Sequence, residues 1–385
     1  VISEDTSHVY AIKKGRYYGF IDRLGNQVIP SQFAYGLDFS EGLAGVNVGG
    51  TPSRRDMPTD GKWGFINTSG KFVINPIYYS PPNGGMIYDA QDLAIAMHEG
   101  YRFIDGLAAV RLEKRWVYIN PQNEIVIDYV QRKIGNEVDS LPIMSPRTFS
   151  EGLAAVFVDG YWGYINKKGE LVIDAKYLFP VDFSCGYALV SEDDGKVVCI
   201  DKQGYQVFSQ YRIETNFHEN VASIREGFEG TETFFSDRYR IGLMNTEGHI
   251  LVDAQFDQGG YYGSGLSPVR IGSKKSGQPI YADQANTQDF QGGKWGFVDS
   301  TGFIRINPIY DQAKGYRSGL AAVKVGRNWG YINRKGRYVF KPQFKFAGYF
   351  DGPATVVKLK SEGQDRYRNR LAYINLEGDV IWIEP

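Results

Sequence analysis

Metal binding, proton transfer and nucleophilic attack each need particular side chains at particular spacings, and this chain supplies few of them. Its four histidines, His8, His98, His218 and His249, stand far apart, and no Cys-x-x-Cys or His-x-x-x-His pattern occurs. The sequence therefore offers no metal site and calls for no cofactor. The two cysteines flank a turn at Glu192–Gly195. A turn centred near Asp193 sets Cys199 opposite Ala188, out of register with Cys185. A disulfide needs Cα atoms within roughly 7 Å, so two thiols are expected. Glycoside hydrolysis would need two carboxylates at a defined separation in a cleft. Asp193-Asp194 falls in a hairpin turn and Asp56 and Asp60 in a loop, which reads as solvated turn acids. No Gly-x-Ser-x-Gly elbow is present, so a serine hydrolase of that type lacks its signature. Gly259–Gly265 is glycine-rich but precedes a strand with no lysine after it. It is a turn or an aromatic ligand platform, not a phosphate loop.

The elements that would position any site come from one phrase, Asn328–Val339, repeated along the chain. Trp329 and Tyr331 point to one side of a strand, Gly330 and Ile332 to the other. Gly330 allows another backbone or a ring to approach closely. Asn333-Arg334-Lys335-Gly336 then turns the chain, because Asn bonds its own backbone two residues on and Gly accepts φ > 0. Copies begin at Tyr18, Trp63, Trp116, Trp162, Val197, Ile241, Trp295, Trp329 and Leu371. Asn or Asp occupies the turn position in every copy, so that position needs a cap and not a charge. The turn glycine recurs in all but the third copy, which has Asn123. A further strand precedes each hairpin, as at Leu153–Val158 and Leu320–Val325. Phe-Ser-Glu-Gly introduces it at Phe39 and Phe149.

Each unit thus reads as a three-stranded antiparallel meander followed by a linker that often holds proline. Units fall at about 9–38, 39–79, 103–131, 149–182, 183–216, 217–261, 262–315, 316–349 and 350–385, a single array. The main insertions are at 79–101 and 273–291, the second read as an exposed loop. Both faces of the central strand are apolar, so neighbouring meanders must cover both. The fold expected is all-β: about nine three-stranded meanders stacked as an open, solenoid-like spiral, with a closed β-propeller as the alternative. Nine units exceed the roughly 4–8 blades of a propeller, and three strands fall short of a blade's four. No strand is borrowed between the two ends. An open array needs capped ends, so a monomer or a partner-capped array is expected.

Lys62-Trp63-Gly64, Lys294-Trp295-Gly296 and the Phe-Ser-Glu-Gly-Leu-Ala phrases resemble the bacterial WG-repeat, or KWG-repeat, family, from about Val9 to Ile383. The family's biochemical role is poorly defined, so the resemblance implies architecture more than activity.

Lys and Arg number 43 against 44 Asp and Glu, a formal net charge of −1. Without a basic excess, nucleic-acid binding is not expected. No apolar run approaches the roughly 20 residues of a membrane span. Val1 is not an initiator Met, which suggests a removed leader. Tyrosines outside the repeat phrase are the binding candidates: Tyr88, Tyr101, Tyr239, Tyr261, Tyr262 and Tyr281. The opposing reading is that they anchor loops to the array. A non-enzymatic scaffold for a protein or peptide partner, secreted or at the bacterial envelope, is expected. A carbohydrate-binding module and an enzyme with a loop-built site are the alternatives.

Overall fold

The computed structural model describes residues 9–52, 57–81, 100–113, 115–129, 146–226, 240–275, 290–350, 352–360 and 370–384. Among these the elements are small antiparallel sheets, none closed into a barrel, and there is no helix. The chain divides into two compact units, residues 1–196 with 200–205 and 384–385, and residues 197–199 with 206–383.

The first unit holds four meanders. Their strands are Val9–Lys14, Tyr17–Asp22 and Gln27–Phe33; Leu43–Val48, Lys62–Asn67 and Phe72–Tyr79; Ala108–Leu112, Arg115–Ile119 and Ile125–Tyr129; and Leu153–Val158, Tyr161–Asn166 and Leu171–Tyr177. The division runs through the fifth meander, Tyr187–Ser191, Val197–Asp201 and Gln206–Val207. The second unit holds Val221–Glu226, Arg240–Asn245 and Ile250–Phe256; Ser267–Lys275, Phe290–Val298 and Ile304–Tyr310; Leu320–Val325, Asn328–Asn333 and Tyr338–Phe344; and Ala354–Lys358, Leu371–Asn375 and Val380–Ile383. Most of both insertions lies outside the described residues. The hairpin of the seventh meander does run on into the segment expected as a loop, with Ser273 opposite Gly292 and Lys275 opposite Phe290.

The turn chemistry is local. Asn166 Oδ1 accepts the amides of Lys168 and Glu170, and Asp22 Oδ1 those of Leu24 and Asn26. Asn333 and Asp299 repeat the pattern. Asn123, the exception to the glycine rule, has φ +66°. The turn glycines also serve packing. A Cβ on Gly169 would meet Ile127 Cγ2 at 2.9 Å and one on Gly204 would meet Ile173 Cγ2 at 3.0 Å, side chains of the preceding meander in each case.

The glycine of the Trp-Gly pair answers to a different neighbour, the backbone of its own third strand. In the fourth meander Trp162 faces Tyr177 but Tyr164 faces Ile173, so three residues oppose Gly163 alone. This wide bulge folds over the glycine, where a Cβ would lie 2.6 Å from Ile173 O. The same register recurs at Gly19, Gly64, Gly242, Gly296 and Gly330. The third meander carries Val117 instead, and there Trp116 faces Tyr129 and Tyr118 faces Ile127, in step. Pro76, Pro308 and Pro342 sit in the bulges, where no ladder amide is needed.

The linkers correct the count of three strands. Residues beginning two to five positions after the third strand form a fourth, two-residue strand on the next meander's first strand. These are Tyr35–Gly36, Arg212–Ile213, Gln258–Gly259, Gln312–Ala313 and Phe346–Ala347. Strand number therefore no longer separates this fold from a propeller blade. A single bridge, Tyr79 to Arg111, joins the second and third meanders into one seven-stranded sheet.

Both faces of most central strands are buried, as their composition requires, while Trp295 and Trp329 are half-buried and Leu371 of the ninth meander is exposed. One cluster joins Phe297 and Tyr310 of the seventh meander to Ala321, Val323 and Ile332 of the eighth. Another joins Phe20 of the first to Ala44, Val46 and Ile66 of the second. The aromatic face of one meander thus meets the Gly-Ile face of the next. Full burial of one such ring contributes about 2–3 kcal/mol.

Candidate functional site

Tyr88, Tyr239 and Tyr281 lie outside the described residues. Tyr101 is 0% exposed, its ring stacked on Trp63 at 4.6 Å and tilted against Trp116 at 5.9 Å. Its hydroxyl donates to Tyr79 O, and burial pushes the phenol pKa upward. Tyr262 is buried as well, while Tyr261 is exposed. Tyr101 and Tyr262 therefore act as anchors, without a ring face on offer.

The polar groups at the Phe-Ser-Glu-Gly corners hold consecutive meanders together. Glu41 and Gly42 both have positive φ, 52° and 81°, as do Glu151 and Gly152. These are two-residue turns of the primed kind. Within the first unit, Gly106 N donates to Glu41, Gly152 N to Asp105 and Gly186 N to Glu151. Ser40 Oγ donates to Phe103 O at 2.6 Å and Ser150 Oγ to Phe183 O at 2.7 Å. In the second unit Glu219 accepts the amides of Ser264 and Gly265, and Ser318 Oγ donates to Phe350 O. Each rung reaches the corner of the following meander. The tyrosine of Trp-Gly-Tyr makes a related tie: Tyr164 and Tyr331 donate to the linker carbonyls of Val181 and Gly348.

An open cavity of about 420 Å³ lies beside these corners, lined by Glu151, Gly152, Leu153, Val172, Lys202 and Gln203. Its two charged groups face each other, Lys202 Nζ to Glu151 Oε2 at 3.1 Å. No pair of acids converges there. Asp60 closes its own loop on Thr51, and Asp194 accepts the amide of Lys196. Among the described residues no group of three or more His, Cys, Asp or Glu could hold a metal ion. Cys185 and Cys199 form no disulfide. Among the described residues, no helix is long and apolar enough to cross a membrane.

The surface that stands out belongs to the eighth meander and its linkers. Residues 312–350 contain Lys314, Arg317, Lys324, Arg327, Arg334, Lys335, Arg337, Lys341 and Lys345, and no Asp or Glu. None of the nine is buried. At one end of the sheet, Lys314 Nζ lies over three rings, 5.6 Å from Trp329, 5.1 Å from Phe346 and 4.9 Å from Tyr349. Arg317 also covers Tyr349 at 4.9 Å, and Lys324 covers Trp329 at 5.7 Å. Each such contact is worth about 0.5–1 kcal/mol at an exposed site, enough to restrain the cations. Phe346 remains 48% exposed, and Val325 and Tyr338 are also exposed. Arg327, Lys341 and Lys345 form no ion pair among the described residues. Whole-chain charge concealed this surface, because residues 217–261 carry eight acids and three bases. Charge counted repeat by repeat would have found it.

The "WG containing repeat" family matches residues 18–51, 63–80, 162–196, 241–274, 295–329 and 329–361. No curated protein matches the chain. Among solved structures, BamB from Moraxella catarrhalis is similar at 11% identity and TM-score 0.33, over 71% of this chain and 78% of that one. The extracellular domain of the hybrid two-component system BT3049 from B. thetaiotaomicron is similar at 9% identity and TM-score 0.25, over 98% and 58%. PorZ, a surface component of the type-IX secretion system of Porphyromonas gingivalis, is similar at 10% identity and TM-score 0.26, over 96% and 58%. The chain thus spans 58% of the length of the last two.

Proposed function

The chain belongs to the WG-repeat family, and on that premise we propose that it is a non-enzymatic repeat scaffold that binds a protein or peptide partner. The observation that carries this reading is the eighth meander's surface, where restrained cations stand beside exposed apolar side chains. Rigid groups lose little freedom on binding, which favours their use as contacts. On this surface carbohydrate binding is the weaker reading, since a sugar needs an open ring face. Trp329 and Tyr349 each carry two cations over theirs. An enzymatic reading needs converging ionisable groups, and the acids at the corners accept neighbouring amides instead. As part of the same proposal, the meanders form an open array, since nine exceed the roughly 4–8 blades of a propeller. We place the protein in the bacterial envelope or outside the cell, a point that cell fractionation tests. For function, the test is panning a random peptide display library on the full chain beside a glycan array. Enrichment of a peptide family supports the reading. Glycan signals without peptide enrichment overturn it.

A further inference from the structure

Resting on that reading, we propose that the partner segment is an acidic polypeptide with interspersed apolar side chains, docked on the eighth meander. Three observations point to it. The first is charge: nine basic residues lie within 312–350, and the flanking Asp311 is held by Lys294 and by the amide of Gly326. Lys324, Arg327 and Lys345 stand together at the end of the sheet where Trp329 faces Phe344. A positive patch attracts an oppositely charged partner and repels others.

The second is the state of the rings. Lys314 and Lys324 lie over Trp329, and Lys314 and Arg317 over Tyr349. A nucleic acid bound on this surface would stack its bases on ring faces, and a glycan would need the same faces. Here those faces hold cations.

The third is the apolar surface interleaved with the charge. Phe346 lies under Lys314 Nζ at 5.1 Å, and exposed Val325 is at the same hairpin end as Lys324 and Arg327. Polyanions without apolar side chains would leave this surface wet. An acidic segment that carries carboxylates and apolar side chains on the same face, as alternate residues of a strand do, would use both.

The experiment is fluorescence anisotropy on the full chain. The probe is a fluorescein-labelled peptide repeating Glu-Gly-Leu-Gly, which puts both side-chain types on one face of a strand, with a Gln-Gly-Leu-Gly peptide as the glutamine control and heparin and duplex DNA as competing anions. The acidic peptide binds, more weakly as salt rises, and the glutamine peptide does not. Arg327→Glu with Lys345→Glu weakens binding about tenfold. Arg327→Gln with Lys345→Gln gives a smaller loss, and the near-ultraviolet circular dichroism of both variants matches the parent chain. Equal binding of the glutamine peptide, unchanged binding by the charge-reversed chain, or displacement by heparin or DNA alone would each overturn the proposal. Neutral peptides from the display library binding where the acidic probe does not would refute the acidic partner and leave the scaffold standing. If no peptide of any composition binds, the scaffold reading falls too.

Discussion

Replacing Gly163 by alanine tests whether the Trp-Gly glycine is required by proximity and not by backbone torsion. Its φ is not among the positive ones, so alanine brings no torsional strain. The added Cβ would stand 2.6 Å from Ile173 O, 2.8 Å from Ala175 N and 2.9 Å from Ala175 Cα, all in the bulge. Comfortable contacts begin near 3.5 Å, so the third strand must retreat by roughly 0.9 Å. The pairs that would resist are Trp162 with Tyr177 and Tyr164 with Ile173. Overpacking a tight site costs about 1–3 kcal/mol, and backbone on three sides puts this case near the top. Alanine also narrows the unfolded ensemble, which returns about 0.4–1 kcal/mol. The net loss is about 2 kcal/mol. Hydrogen exchange at the amides of the fourth meander is the sharpest assay, because repeat arrays can depart from two-state melting; urea titration followed by tryptophan fluorescence gives the global value. Gly152→Ala is the comparator. There φ is +86° and nothing lies within 4 Å of the added carbon, so strain of about 1–2 kcal/mol acts alone. A Gly163→Ala structure with the bulge and its register unmoved, or a loss below about 0.5 kcal/mol, would refute the proximity argument.

Trp63 is 0% exposed, stacked on Tyr101 and bonded through Nε1 to Ser80 Oγ, so Trp63→Ala should cost about 3–5 kcal/mol in urea unfolding, well above half-buried Trp329→Ala. Tyr164→Phe removes one hydroxyl from Val181 O and should cost about 1–2 kcal/mol by the same measurement. Burial first, and nearby Glu192, Asp174 and Asp201 next, push the Tyr177 phenol from 10.0 to about 12; burial and Tyr338 do the same for Tyr310. The fold favours the neutral phenol, so this stabilisation is complete below about pH 10 and lost as pH rises through about 12. Phenolate absorbance from the buried rings of Tyr177 and Tyr310 should appear only with alkaline unfolding. Burial would raise the Asp299 carboxyl, but hydrogen bonds from Thr301, Arg305 and Phe303 outweigh it and hold it at about 2. That contribution is present above its ordinary 3.8 and fades as pH falls towards 2. Asp299→Asn should therefore cost within about 0.5 kcal/mol at neutral pH and remove this acid sensitivity from thermal melts.

The turns and central strands were legible because their causes are local. An Asn or Asp that bonds amides two and four residues on needs no distant partner, and Asn123 kept its positive φ without glycine. The linker strands were not legible, since two residues carry no alternation. Nor was the bulge: it exists only when the third strand is counted against the second, though Val117 at a glycine position was a clue. Tyr101 looked available because it lies outside the repeat phrase, yet its burial depends on two tryptophans 38 and 15 residues away. The basic surface was missed for a simpler reason, cancellation against acids elsewhere in the chain.

The passage of the polypeptide between sheets has a mechanical side. Phe33 is still paired with Tyr18 when Tyr35 is already paired with Asn47, and Phe344 with Trp329 when Phe346 has reached Lys358. No slack separates one sheet from the next at these crossings. Tension on the chain would be handed across two residues, so neighbouring sheets would carry the same load in series, and the weakest ladder would be the first to open.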